Sequence, residues 1–202
     1  MKKQKMTAML GLIATSLIIV TNIVTVCLLI LGKPIKDWAS SVALLSPILT
    51  ICIYTVLFYI ICNVSKQIDF RIVLSIIIVL QVLLLLIVWF EKFKILPSQQ
   101  FYIMSIMIAG LALLGLYLWF FIMLSNTHES EIKAIKYLKL FAITYLILVV
   151  INFVVSLSVA ILKHESIGND KLILISYQLL DIIPYAFLTF FFFKHLDETG
   201  KD

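Results

Sequence analysis

The amino-acid sequence predicts an all-α fold: a polytopic membrane protein built as a bundle of six transmembrane helices joined by short loops. Of its 202 residues, 63% are apolar and 13% are charged, whereas soluble domains contain about 45–50% and about 25% of these classes. Six apolar stretches are each long enough to cross a bilayer, which takes about 20 helical residues. The breaks between them are too short to hold a domain, so residues 1–202 are expected to form one transmembrane domain.

This composition also excludes several classes of protein. A folded sphere of this size has too little interior to hide such an apolar excess, and too few charges to cover the rest. An ordinary soluble enzyme, a nucleic-acid-binding domain and a disordered protein are therefore excluded. The formal net charge of +5 needs no nucleic acid partner, because anionic lipid headgroups attract basic residues beside membrane spans.

The predicted spans cover residues 7–31, 42–62, 72–90, 101–124, 140–162 and 172–193. The first follows three lysines, as a signal peptide would, but its apolar stretch exceeds the roughly 7–15 residues of a signal-peptide core. We therefore expect it to be retained. The third contains runs that are apolar on every side, which excludes the alternating pattern of a membrane β-strand. In the fourth, Gly110, Ala112 and Gly115 predict close packing against a neighbouring helix.

The segment between the fourth and fifth spans, residues 125–139, has an internal pattern of its own. Asn126 and Glu129 resemble a helix cap, and Glu129 with Lys133 forms a favourable pair four residues apart. We interpret this segment as an early start of the fifth helix. A helix that docks a soluble partner is the alternative.

The loop charges predict the orientation. With the N-terminus inside, ten of the sixteen Lys and Arg residues lie on the cytoplasmic side, as the positive-inside rule requires. Both termini are therefore expected in the cytoplasm. Frequent Ile, Phe and Lys are typical of an AT-rich bacterial genome, which favours a bacterial plasma membrane as the location.

The sequence contains none of the common catalytic or metal-binding motifs. Three cysteines have no zinc, redox or haem spacing, and we expect them to be small buried apolar residues; they are Cys27, Cys52 and Cys62. The histidines fall in predicted loops or the tail; they are His128, His164 and His195. We therefore expect no metal, no cofactor and no enzymatic activity.

One acidic residue, Asp181, falls inside a predicted span. A charge there costs about 2.5–3.5 kcal/mol on insertion scales, so such a residue faces the bundle and marks a candidate functional site. No Lys or Arg lies at similar depth, and we expect the carboxyl group to be neutral for part of the time. Tyr177 and Tyr185 share its helical face, Gln178 lies beside it, and Pro184 is expected to kink the helix nearby.

Other spans offer polar residues that could complete this site. Asn22 in the first span and Asn152 in the fifth are the candidates included in it. Further polar groups are available in the second and third spans; they are Ser46, Thr50, Tyr54 and Gln81. Amides inside a bundle also serve as interhelical hydrogen-bonding groups, each worth about 0.6 kcal/mol on average.

Three functions remain open. The first is a small transport-related or ligand-binding membrane subunit that holds a small polar ligand, a proton or a cation at Asp181. The second is a non-catalytic accessory or sensory protein in which Asp181 pairs with a cation of another membrane protein. The third is an intramembrane enzyme acting on lipid, which would need a second reactive group at the same depth.

Overall fold

The computed structural model describes residues 2–32, 36–64, 68–95, 98–127, 134–162 and 171–198. Throughout these ranges the protein is helical, with short turns and no strand. The helices are α1 (Lys2–Ile30), α2 (Lys36–Val64), α3 (Ile68–Lys92), α4 (Gln99–Ser125), α5 (Ile135–Leu162) and α6 (Lys171–Glu198). The prediction of an all-helical chain with long apolar helices is therefore confirmed.

The observed helices extend beyond the apolar stretches that predicted them. The helix α2 begins six residues earlier than predicted, at Lys36, and α6 ends five residues later, at Glu198. The prediction marked only residues that a lipid core accepts. A helix continues into the polar headgroup region, where Lys, Asp and Glu side chains are hydrated.

Five of these helices are long and apolar enough to cross a membrane: α1, α2, α3, α4 and α6. Large apolar side chains are exposed around the middle of the bundle, including Ile23, Ile48, Val79, Leu111 and Ile183. Monomeric soluble proteins rarely expose such a continuous apolar surface. The helix α5 is not among the five, and several side chains in its second half lie outside the described residues.

The helices form a closed ring. Each packs against its neighbours in the sequence, and α1 packs extensively against α6. Short connections make consecutive helices antiparallel, so α1, α3 and α5 begin at the same end of the bundle. We call this the N-terminal end and the other the distal end.

Hydrogen bonds at both ends fix this antiparallel order. At the distal end, Trp38 Nε1 at the start of α2 donates to Thr25 Oγ1 near the end of α1, over 2.9 Å. At the N-terminal end, Lys139 Nζ of α5 donates to the carbonyl oxygen of Ser125, the last residue of α4, over 3.2 Å. Trp38 thus belongs to a helix and not to the predicted loop.

Aromatic side chains fill the N-terminal half of the ring. The largest are almost fully buried and come from five helices; they are Tyr54, Phe70, Phe120, Phe141, Phe191 and Phe192. His195 is also buried there and stacks on Phe191, with ring centroids 6.1 Å apart. The prediction that His195 lies in the tail is therefore wrong, because α6 extends past it; His128 and His164 lie outside the described residues.

Three sequence-based expectations about local packing are wrong. Gly110 and Gly115 have no neighbour where a side chain would project, so α4 makes no close contact there. Asn126 ends α4 and does not begin α5, since its backbone N–H bonds to the carbonyl oxygens of that helix; Glu129 and Lys133 lie outside the described residues. The third wrong expectation concerns Cys27, which was predicted to be buried and is exposed on α1.

The other two cysteines, Cys52 and Cys62, are half-buried. Their thiols therefore lie at the border between the bundle interior and its outer surface. This is only part of the burial that the sequence predicted for them.

The helices α1 and α6 pack tightly against each other at Gly11. A Cβ atom at this position would lie 2.7 Å from the ring atoms Cε1 and Cζ of Phe192. Phe192 is itself fully buried, so its ring has little space to move away. Glycine at position 11 therefore lets the first and last helices pack together.

We expect Gly11→Ala to lower the free energy of unfolding by about 1–3 kcal/mol, the usual effect of overpacking a filled interior. Gly115→Ala is the matched control, because the added methyl group enters open space on α4. Thermal unfolding of both variants in detergent measures the difference. Equal stability of the two variants would contradict the close α1–α6 contact.

Candidate functional site

The carboxyl group of Asp181 joins the first and last helices of the ring. Asp181 lies ten residues after the start of α6, and its Oδ2 accepts a hydrogen bond from Asn22 Nδ2 of α1 over 2.9 Å. Asn22 is buried. The side chain of Asp181 therefore points towards other helices and not towards the outer surface of the bundle.

No basic side chain of the described helices lies near the depth of Asp181. Every Lys and Arg in these helices falls within about the first or last five residues of its helix. Asp181, by contrast, is well inside α6. Its described polar contact is thus an amide, and no Lys or Arg of the described helices lies deep enough to balance a negative charge on it.

A cavity of about 320 Å³ lies beside Asp181. Five helices, α2 to α6, contribute to its wall. The polar part consists of Ser46, Thr50, Gln81, Tyr145, Asp181 and Tyr185, and the apolar part of Pro47, Leu84, Leu85, Val88 and Ile106. Gln81 lies in the middle of α3, Leu84, Leu85 and Val88 lie in its last third, and Ile106 lies in the first turns of α4, so the cavity extends from the centre towards the distal end.

Two tyrosines form one side of this cavity. The rings of Tyr145 and Tyr185 meet edge to face, with centroids 6.1 Å apart. The hydroxyl group of Tyr185 interacts with the side chains of Thr50 and Tyr145. Residues of α2, α5 and α6 are therefore connected around the polar part of the cavity.

A second polar contact joins α3 and α4 behind this wall. Gln81 Nε2 donates to the hydroxyl oxygen of Tyr117 over 3.0 Å, and both residues are buried. The ring of Tyr117 packs against those of Tyr54 and Tyr145, with centroids 6.0 Å and 4.9 Å away. Four tyrosines, from α2, α4, α5 and α6, thus form one aromatic cluster.

Most hydroxyl groups of Ser and Thr inside the helices are satisfied locally. Thr15 Oγ1 donates to the carbonyl oxygen of Gly11, Thr50 Oγ1 to that of Ser46, and Thr189 Oγ1 to that of Tyr185. Each of these bonds spans one turn of a single helix, a common arrangement for Ser and Thr in membrane helices. Near Asp181, the polar contacts between helices therefore come mainly from amides, phenols and Asp181 itself.

The structure brings together some of the predicted site residues and not others. Asp181 and Tyr185 line the cavity, and Asn22 contacts Asp181. Tyr177 and Gln178 lie one turn nearer the distal end and do not line it. The Tyr177 hydroxyl and the Gln178 Oε1 are buried without a hydrogen-bond partner among the described residues. The side chain of Asn152 lies outside those residues.

Sequence reasoning placed several wall residues only among the possible partners. Ser46, Thr50 and Gln81 were recognisable as polar residues inside spans, but nothing in the sequence assigned all three to one cavity. Tyr117 was missed, because a lone tyrosine in an apolar span does not differ from an apolar core residue. Its burial and its bond to Gln81 are visible only when α3 and α4 are placed side by side.

The donor set limits the chemistry of the cavity. Among the described residues, no group of three or more His, Cys, Asp or Glu side chains could hold a metal ion. The described residues of the cavity wall instead offer one carboxyl group, two phenols, an amide and hydroxyl groups, together with apolar side chains. Such a combination is typical of a site that binds and orients a small organic molecule.

Comparisons with protein-family models, curated proteins and solved structures found no match to this chain. The arrangement of the side chains themselves is therefore the basis for the proposals below.

Removing single hydroxyl groups tests the aromatic cluster. We expect Tyr117→Phe to lower the free energy of unfolding by about 0.6 kcal/mol, because Gln81 loses an interhelical hydrogen bond. Tyr59→Phe is the matched control, because Tyr59 lies on the outer surface of α2 and is 38% exposed, so removal of its hydroxyl group should leave stability unchanged. A greater loss of stability in Tyr59→Phe would show that the hydrogen bonds are wrongly assigned.

Proposed function

We propose that this chain is an integral membrane protein of six spans that binds a small polar ligand between its helices, as a transport-related or ligand-binding membrane subunit. The observation that carries the proposal is the cavity beside Asp181, which combines a carboxyl group with tyrosines inside a ring of apolar helices. A carboxyl group at this depth has a substantial insertion cost. A neutral amide would join two helices at a lower cost, so a binding role accounts for the acid better.

The position of the carboxyl group also bears on the alternatives. An accessory protein that pairs Asp181 with a cation of another membrane protein would need the side chain on its outer surface. The contact with Asn22 and the cavity on the inner side support the ligand-binding function instead. A lipid-acting enzyme would need a second reactive group beside Asp181. The described residues of the cavity wall offer only phenols, hydroxyl groups and an amide there, and neither a second carboxyl group nor a histidine, so this alternative is less well supported.

The six-span topology rests on the length and composition of α5. The helix α5 has 28 residues, and the part that follows Lys139 is mostly apolar and contains no charged residue. This part is long enough to cross a bilayer, which takes about 20 helical residues. With six spans both ends of the chain lie on one side, and the distribution of Lys and Arg places that side in the cytoplasm. The bacterial plasma membrane remains our proposed location.

Reporter fusions test this topology. We expect a reporter that is active only in the cytoplasm to be active at both ends of the chain. A reporter that is active only outside the cytoplasm should work between α3 and α4, at residue 95. If the two ends of the chain lie on opposite sides, the topology has an odd number of spans and the proposal is wrong.

Thiol labelling tests whether water-soluble molecules reach the cavity. In a variant in which all three cysteines are replaced by alanine, we expect Ser46→Cys to react with a membrane-impermeant methanethiosulfonate reagent. Ile48→Cys is the matched control, because Ile48 lies two residues away and is 46% exposed on the outer, apolar surface of α2. A thiol in lipid reacts slowly, since the reactive thiolate is not formed there.

The ratio of the two labelling rates decides the outcome. A rate at least about tenfold faster at position 46 supports a binding cavity that water reaches. Equal protection of both thiols would mean a closed, dry contact between helices, and the proposed function would have to be abandoned.

A further inference from the structure

The chemistry of the cavity wall points to one class of ligand. We propose that the cavity binds an amphipathic organic monocation, with a protonated amine at Asp181 and a compact apolar body towards the distal end. This inference rests on the proposed function and specifies the ligand of the same site. It follows from the charge balance, the arrangement of the wall and the requirements of the competing ligand classes.

The charge balance favours a single positive charge on the ligand. Among the described residues of the cavity wall, Asp181 is the only acidic one, and none is Lys, Arg or His. A carboxylate has about four lone-pair sites, so the single bond from Asn22 leaves it able to accept further hydrogen bonds. An ammonium group supplies both the missing charge and the donors, and charge-assisted hydrogen bonds of this kind are roughly twice as strong as neutral ones.

The two tyrosines favour the same group. Tyr145 and Tyr185 line the cavity together with Asp181. Tyrosine rings attract an ammonium group within about 6 Å, and the attraction is stronger where water is excluded. Thr50 and Ser46 add oxygen atoms that can accept hydrogen bonds. The whole polar part of the wall is therefore suited to a cation.

The apolar part of the wall suits an apolar body. It consists mainly of Leu84, Leu85 and Val88 in the last third of α3 and Ile106 near the start of α4, which lie towards the distal end. Burying apolar ligand surface there is favourable, because that surface leaves water. The volume of about 320 Å³ lies at the lower end of the range of small-molecule sites, which limits the body to about one ring or a short alkyl chain.

Other ligand classes fit this wall less well. A metal ion such as Ca²⁺ takes 6–8 oxygen ligands, usually from several carboxylates, and half of this wall is apolar. An anion would be repelled by the carboxylate and would find no basic residue. A zwitterion would need a cationic partner for its own carboxylate, and none of the described wall residues is Lys, Arg or His.

Three probes of nearly equal shape test this inference: 2-phenylethylamine, 2-phenylethanol and phenylacetate, which are cationic, neutral and anionic at neutral pH. Their binding is measured by thermal shift and calorimetry on the full-length protein in lipid nanodiscs. We expect the amine to bind at least about tenfold more tightly than the alcohol, and phenylacetate to bind most weakly. A tenfold difference corresponds to 1.4 kcal/mol, which a desolvated charge pair readily provides.

Asp181→Asn identifies the residue responsible. This change keeps the size of the side chain and removes its charge, so the amine should lose its tenfold advantage while binding of the alcohol stays the same. Asp69→Asn is the matched control, because Asp69 is an exposed carboxylate in the first turn of α3. It should leave the binding of all three probes unchanged.

Each other result overturns the inference. Equal binding of the amine and the alcohol would mean that Asp181 is neutral in the site and binds at most a proton. Unchanged amine binding by Asp181→Asn would place the cation elsewhere. If no probe binds while Ser46→Cys is still labelled rapidly, the ligand class is wrong and the proposed binding cavity stands. If Ser46→Cys is protected as well, both proposals fail together.

Discussion

The bond between Asn22 and Asp181 is the constraint on which the rest of this structure depends. In a lipid environment a carboxyl group that faced outward would lose its hydrogen-bonding partners, at a cost of several kcal/mol. The amide on α1 removes this penalty only when α6 presents Asp181 to it. One polar contact therefore fixes the rotation of α6 about its axis and makes the last helix a neighbour of the first.

The closed ring explains why a cavity lies at its centre. Two helices that meet at Gly11 and Phe192 can approach closely, and aromatic side chains fill the N-terminal half. Further along, the inward positions carry Thr50, Gln81 and Asp181, which cannot replace aromatic rings in filling space. The polar groups that hold the helices together thus also prevent the interior from closing.

The sequence predicts the helices well because the bilayer imposes one simple length requirement. It also indicates that Asp181 faces inward, since lipid would not tolerate it. It does not predict which face of α4 is buried, because that span is apolar all round: Gly110 and Gly115 face open space, while Tyr117 points inward. The neighbours of Asp181 on other helices depend on how the helices rotate against one another, which composition alone does not encode.

The adjacency of α1 and α6 has a consequence for biogenesis. A ribosome releases the chain from its N-terminus at roughly 5–20 residues per second, so Asn22 enters the membrane long before Asp181 has been synthesised. During that interval the amide has no carboxyl partner, and the face of α1 that carries it is open to lipid or to any assisting insertase. Correct assembly is therefore completed only after α6 has been synthesised, and a chain truncated before α6 would display that polar face permanently, as a mark by which quality control could recognise it.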